Sequence, residues 1–353
     1  MAEDNTAAAS APAEAAVDVD PISRRLLSAR TLLSFAIGLA ILALVLSRIN
    51  VEVDQILAHL RQTNPLYYLA ALLVYYTTFI VRGLRWHKLL ENVGFRPEEG
   101  VRLPPVSGVA IIVLLGWFAN CIVPAKLGDA YRAYLLKRTA GVPFVKTFGT
   151  IVAERIIDVL LLFSLLAGSA LLAFGGALPP VIFGIMQVGL VLVGAALVGL
   201  LAMRNLSPLI TRLIPSRFRQ QYALLEQGTL GSFRSLPLVL LYSVLEWAIE
   251  AARLYLVCLS LGLFQLQPSI VVFVALSSAL LTTLPVTPAG LGFVESAIVG
   301  ILLLAASFGL APGIDENLAT SVAILDRTIS YWSLIVVGFG FYLFGRKRLA
   351  VAQ

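Results

Sequence analysis

The chain has 353 residues, of which 59% are hydrophobic and 13% charged, with a formal net charge of +6. Soluble domains carry about a quarter charged residues, so this composition excludes an ordinary soluble enzyme and asks for lipid as the surrounding solvent. The positive balance is not a nucleic-acid footprint, because Lys and Arg in such chains mostly mark membrane topology.

Residues 1–20 are Ala-rich and hold five acids and no base. That composition suits a disordered tail over 1–22 and does not suit a signal peptide, which starts with positive charge. The remainder, 23–348, reads as a single transmembrane domain. A spanning helix needs roughly 20 apolar residues. Residues 159–203 contain no charge in 45 positions, and 254–314 contain one charge, Glu295, in 61. Spans are expected at about 31–47, 66–86, 146–174, 179–203, 236–262 and 320–344. A Gly-Gly-Ala-Leu-Pro-Pro break at 175–180 separates the third from the fourth. The polar stretch 204–235 reads as a loop.

Two further apolar regions, 104–137 and 268–308, are each interrupted by a Pro/Gly motif. In the first, only 127–136 remain after the break, or about 15 Å of helix, half of a ~30 Å hydrocarbon core. A re-entrant hairpin satisfies both this length and the charge bias. It places 17 Lys/Arg on the cytoplasmic side and leaves only Arg48 and Arg61 outside. A full crossing at 107–123 would move the Arg204–Arg234 cluster outside, against the positive-inside rule. In the second region each arm has about 20 residues, so re-entrant arms and full spans both remain open.

The two halves then carry the same order in opposite orientation. Repeat A covers about 66–174 and repeat B about 236–344. Their breaks share letters: Pro124-Ala125-Lys126-Leu127-Gly128-Asp129 and Pro288-Ala289-Gly290-Leu291-Gly292-Phe293. Each is followed by an acid–arginine pair, Glu154-Arg155 and Asp326-Arg327. The expected fold is an all-α polytopic membrane protein. It has about six spanning helices and two broken re-entrant helical hairpins in an inverted-topology repeat, with a midplane site between the repeats.

Seven cations and seven acids fall inside the apolar regions. Each costs about 2.5–3.5 kcal/mol at a helix centre, so they should pair or serve a ligand. Glu246, Glu250 and Arg253 share one helical face, and Arg155/Asp158 and Asp129/Arg132 are spaced i, i+3. Arg82 and Arg85 sit near the end of the 66–86 span and read as snorkelling to the interface. Lys126 stands at the deepest point of its hairpin with no acid at i−3 or i−4. The return helices start after Pro124 and Pro288, with Thr287 an expected N-cap. Their open N–H groups favour an anion. Gly128, Gly290 and Gly292 would let a backbone or a ligand approach closely. His59 and His87 have no ligand-spaced neighbours, so no metal and no cofactor is expected.

The segment Asn120-x-x-Val123-Pro124-Ala125-Lys126-Leu127-Gly128-Asp129-x-x-Arg132 resembles the lysylphosphatidylglycerol synthase transmembrane, flippase-like family. So do Glu154-Arg155-x-x-Asp158, Pro285-x-Thr287-Pro288-Ala289-Gly290-Leu291-Gly292-x-x-Glu295, and Arg327. The likeness covers about 30–345. Ala125, Asp129 and Ala289 are mild departures from the family pattern. The resemblance implies a stand-alone member without the soluble aminoacyltransferase domain.

These readings set an expected function: moving or binding a lipid with an anionic, phosphate-containing headgroup across the bacterial cytoplasmic membrane. The lipid would be a phospholipid or a polyprenyl phosphate, with both termini cytoplasmic and no nucleic-acid partner. Lys126, Arg132, Arg155, Arg327, Thr287, Gly290 and Gly292 are the candidate headgroup residues. Asp129, Glu154, Asp158, Glu246, Glu250, Arg253, Glu295 and Asp326 are the supporting charges, and Pro124, Gly128, Pro285 and Pro288 are the hairpin breaks. No nucleophile–base pair or nucleotide loop is visible, so a transporter is expected rather than an enzyme. The alternative is a membrane-embedded enzyme or an accessory subunit of an envelope-lipid or polyprenyl-lipid pathway.

Overall fold

The computed structural model describes residues 29–47, 52–123, 126–175, 178–282 and 287–350. The tail and the breaks at Pro124 and Pro285 lie outside these residues. Among the described residues every regular element is helical. In chain order the α-helices are α1 (Ala29–Leu46), α2 (Val53–Gln62), α3 (Pro65–Asn92), α4 (Val106–Ile122), α5 (Leu127–Ala140), α6 (Phe144–Phe174) and α7 (Pro180–Asn205). There follow α8 (Ser207–Leu213), α9 (Ser216–Gly231), α10 (Leu236–Ser260), α11 (Pro268–Thr282), α12 (Phe293–Ser307), α13 (Glu316–Arg327) and α14 (Leu334–Ala350). A π-helical turn over Thr328–Ser333 joins α13 to α14.

Six stretches are long and apolar enough to cross a membrane: Pro65–Asn92, Phe144–Phe174, Pro180–Asn205, Ser216–Ser260, Pro288–Ser307 and Glu316–Phe344. The chain is therefore an all-α polytopic membrane protein. The set differs from the expected one in two places. Thr31–Leu44 is among the shorter apolar helices, and Pro288–Ser307 enters by counting the turn before α12. The expected loop at 204–235 is mostly helical, forming α8 and α9. Here Gly149 of α6 and Gly228 of α9 pack against each other, and a Cβ on either would strike the opposing backbone.

Local chemistry sets the ends. Asn64 accepts from the Leu66 N–H at 3.0 Å and Pro65 opens α3, the arrangement that satisfies an otherwise orphaned donor. Asp315 does the same for α13 through the Leu318 N–H at 2.8 Å. α5 ends at Gly141 in the left-handed region, a common helix stop.

The interrupted regions form two antiparallel helix pairs, α4 with α5 and α11 with α12. α5 has 14 residues rather than the expected ten, yet at about 1.5 Å per residue it remains well short of a ~30 Å core. α11 and α12 have 15 residues each, shorter than the arms of about 20 read from sequence. The difference comes from the turn, where Ala289, Gly290 and Gly292 all take positive φ.

Close approach fixes the first pair. A Cβ at Gly128 would overlap the Gly116 carbonyl oxygen, and one at Gly116 would overlap the Arg132 side chain. Gly128→Ala is expected to cost about 1–3 kcal/mol or more, the usual range for overpacking. Thermal unfolding in detergent measures this, and a wild-type melting temperature would show that the pair can part freely. At the second tip Gly292 plays the same part, because a Cβ there would strike the Gly38 carbonyl of α1.

Candidate functional site

The two hairpin tips meet at a cavity of about 330 Å³. Lys126 and Asp129 line it from the first tip, and Thr287 and Ala289 from the second. Arg155 and Asp158 of α6 line one wall, and Trp117 and Trp247 another. Of the seven candidate headgroup residues, the structure brings Lys126, Arg155 and Thr287 to this cavity. Arg327 lines a smaller adjoining chamber of about 70 Å³, with Arg253, Glu250 and Asp326. Arg132, Gly290 and Gly292 line neither.

Lys126 adopts φ 53°, and the matching position of the second motif, Gly290, adopts φ 73°. Glycine enters this region freely, whereas a side chain pays of order 1–3 kcal/mol to be held there. The first motif thus carries a lysine where the second carries the residue that backbone geometry prefers. Among the described residues the Lys126 ammonium has neither an ion pair nor a hydrogen bond.

The other six cations of the apolar regions are all paired. Arg132 is fully buried and grips Glu154 with two bonds of 3.0 and 2.9 Å. It also stacks on Trp86, 4.3 Å from the ring centroid. The i, i+3 expectation of an Asp129–Arg132 pair is therefore wrong. Arg132 turns away from the cavity to Glu154, and Asp129 faces Arg155 at 3.4 Å. Arg155 also meets Glu154 at 3.0 Å and Asp158 at 3.2 Å, and its side chain keeps 29% exposure. In the second cluster Arg253 binds Glu250 at 3.1 Å and also pairs with Asp326. Arg327 binds Glu295 at 2.7 Å and donates to the Ala289 carbonyl at 3.2 Å.

Arg82 and Arg85 correct the snorkelling expectation. They are 4% and 1% exposed. α3 continues to Asn92, so Arg85 lies seven residues, about 10 Å, from the helix end. Arg85 contacts Asp158 at 2.6 Å, Glu246 at 2.9 Å and Glu154 at 3.1 Å. Arg82 contacts Glu246 at 2.9 Å and Glu250 at 3.0 Å, with Trp117 stacked 3.9 Å away. Glu246 thus joins the two clusters into one network. The facing i, i+3 arginines of α3 and i, i+4 glutamates of α10 were the available sequence signal.

One N–H at each helix start is already taken. The Gly128 N–H at the start of α5 donates to Asn120 at 2.8 Å. The Gly292 N–H before α12 donates to Glu295 at 2.7 Å. Thr287 opens only the short Pro288–Gly290 turn and makes no capping bond. Its hydroxyl is buried and has no hydrogen-bond partner among the described residues. One N–H at each helix start is thus engaged by a side chain of the protein.

Residues 32–338 match the family model described as the lysylphosphatidylglycerol synthase TM region. The chain belongs to this family. A UPF0104 membrane protein of Methanocaldococcus jannaschii is 35% identical over 237 residues, which is 66% of this chain and 96% of that protein. A UPF0104 membrane protein of Pyrococcus horikoshii is 26% identical over 316 residues, covering 81% of this chain and 88% of its own length. Glycosyltransferase AglD of Haloferax volcanii is 25% identical over 342 residues, 86% of this chain but 52% of that protein. The chain is thus similar to a relative named as a transferase as well as to relatives named only as membrane proteins.

Proposed function

We propose that this member of the family binds a lipid by a phosphate-containing headgroup between the hairpin tips and carries that headgroup across the membrane. The observation that supports it is Lys126, a cation held in a left-handed backbone and aimed into a cavity with no protein partner among the described residues. Buried charges inside membranes are costly and mark ligand pathways. Arg155 offers a second, partly exposed cation beside it. In this reading the short arms are re-entrant, the halves form an inverted repeat, and the tips alternate in exposing the site. Both termini face the cytoplasm. The relatives named above are archaeal, so they lend no support to a bacterial membrane in particular.

The test is movement of fluorescent lipids in proteoliposomes. A phosphate-monoester lipid should cross faster than in empty vesicles, and phosphatidylcholine should not. Movement of neither lipid above empty vesicles would defeat the carrier reading. Thr287→Val sharpens the test. An unsatisfied buried hydroxyl costs about 1–3 kcal/mol, so the variant should melt at or above the wild-type temperature while moving the anionic lipid more slowly. Unchanged transport would remove Thr287 from the site.

A second reading has its own support, the relative named as a glycosyltransferase. Here the same cavity presents a lipid phosphate for sugar transfer, within this chain or to a transferase it serves. Asp129 and Asp158 line the cavity and are placed as candidate proton acceptors. Adding nucleotide sugars to the same proteoliposomes separates the readings. A glycosylated lipid without net movement selects this one.

A further inference from the structure

The headgroup cavity is not closed on its apolar side. Leu192 and Leu280 belong to its wall, and the same two residues line a second cavity of about 310 Å³ between α7 and α11. That cavity shares Val181, Ile185, Leu280 and Leu281 with a third of about 370 Å³ reaching along α12. The three join end to end, polar at the hairpin tips and apolar beyond.

Along α7, Val181, Gly184, Ile185, Val188 and Leu192 line the second cavity. Their spacing of i, i+3, i+4, i+7 and i+11 puts them on one helical stripe. The stripe from Leu192 to Val181 is about 16 Å long, close to half of a ~30 Å hydrocarbon core. That is the depth of one leaflet. Two glycines hold the space open: a Cβ at Gly184 or at Gly300 of α12 would meet nothing within 4 Å. These glycines therefore do not serve close helix packing. The only buried residues of α7 are Ile182 and Gly189, so this helix leaves the groove accessible from its side.

We propose that this groove holds a hydrocarbon chain of the lipid whose phosphate meets Lys126, with the chain leaving the cavity between Leu192 and Leu280. The inference rests on the headgroup reading above. Continuity with the charged cavity and a length of one leaflet fit a lipid tail rather than a helix of a partner protein, which would need a wider groove than a stripe opened by single glycines.

The test is photolabelling of the full chain in nanodiscs with hexadecyl phosphate bearing a diazirine on its tail. Hexadecyl trimethylammonium with the same diazirine is the comparison. Labelled peptides should concentrate on 181–192 and 277–304 for the phosphate probe and be cleared by unlabelled hexadecyl phosphate. A Cβ at Gly300 meets no protein atom within 4 Å, so Gly300→Leu should fill the groove and lose this label while keeping its melting temperature. Gly194→Leu, on the opposite face of α7 and equally free of neighbours, should keep the label. Equal labelling by both probes would mean bulk lipid and overturns the inference. Lys126-dependent binding with the label elsewhere, unchanged by Gly300→Leu, also overturns it and leaves the headgroup reading standing. Groove labelling that persists in Lys126→Gly would overturn the link between groove and headgroup. Loss of phosphate selectivity altogether would bring down the headgroup reading and this inference with it.

Discussion

Glu154→Gln is expected to destabilise the folded protein by about 3–5 kcal/mol, the cost of leaving a buried ion pair half-made. Glu154 is 3% exposed and takes bonds from Arg132, Arg85 and Arg155. The three arginines do not lose equally. Arg85 retains Asp158 and Glu246, and Arg155 retains Asp129 and Asp158. Arg132 has Glu154 as its one carboxylate partner among the described residues, so it becomes a buried cation without a countercharge, left with an amide oxygen and the Trp86 ring. The effect should appear as a large drop in melting temperature in detergent. A second substitution separates charge from shape. Adding Arg132→Met removes the stranded cation and should recover part of the loss, because replacing both members of a buried pair is far milder than replacing one. The double-mutant cycle measures this directly. A Glu154→Gln protein that melts with the wild type would show that the network does not hold α5 against α6.

The network also links the two clusters of buried charge. The buried apolar regions carry seven cations and seven acids. Six of the cations are paired, which leaves the acids in excess by one until Lys126 is counted. In the proposed reading, an anionic headgroup at Lys126 and Arg155 would upset that balance locally. The response available is rearrangement of bonds along Arg155, Glu154, Arg85, Glu246 and Arg82, which are linked without a gap. The chain of contacts runs from the first cluster to the second through Glu246. In the proposed reading, a ligand at one hairpin would alter the electrostatics felt at the other through the contacts of Glu246 with Arg82 and Arg85.

Helix periodicity made part of this legible in the sequence. Arg155/Asp158 and Glu250/Arg253 pair within a single helix, where spacing alone decides which side chains meet. Arg85 with Asp158 is a contact between residues 73 apart, set by how α3 packs on α6 and α10. No local rule contains that information. Misplacing the end of α3 at residue 86 put Arg82 and Arg85 near water and hid the centre of the network. The interruptions between α4 and α5 and between α11 and α12 were legible because Pro and Gly act locally. What fills their open donors was not, since Asn120 reaches Gly128 only once α4 and α5 lie antiparallel. The apolar groove was invisible for another reason. Gly184 and Gly300 look like helix-packing glycines in sequence, and only the empty space beside them shows that they are not.

Lys126→Gly should separate function from stability more cleanly than any other change. Lysine at this position is held at φ 53°, and glycine relieves that strain, worth about 1–2 kcal/mol for a side chain in the left-handed region. The substitution also adds flexibility to the unfolded chain, which offsets about 0.4–1 kcal/mol of the gain. Loss of the ammonium breaks no ion pair among the described residues. The melting temperature is therefore expected to stay level or rise. Binding should move the other way. A hydrogen bond to a charged partner contributes about 1.5–3 kcal/mol, which is about 10- to 150-fold in affinity at 1.4 kcal/mol per decade. Titrating hexadecyl phosphate onto wild type and Lys126→Gly measures this, with melting followed on the same samples. Lys126→Arg keeps the charge but exchanges a compact ammonium for a planar guanidinium, so it should bind the phosphate and keep the strain. If Lys126→Gly melts lower and binds equally well, the lysine is a structural member of the tip and the anion site lies elsewhere. If it melts higher and binds weakly, the strain at Lys126 is there to hold a cation where the backbone alone would place a glycine.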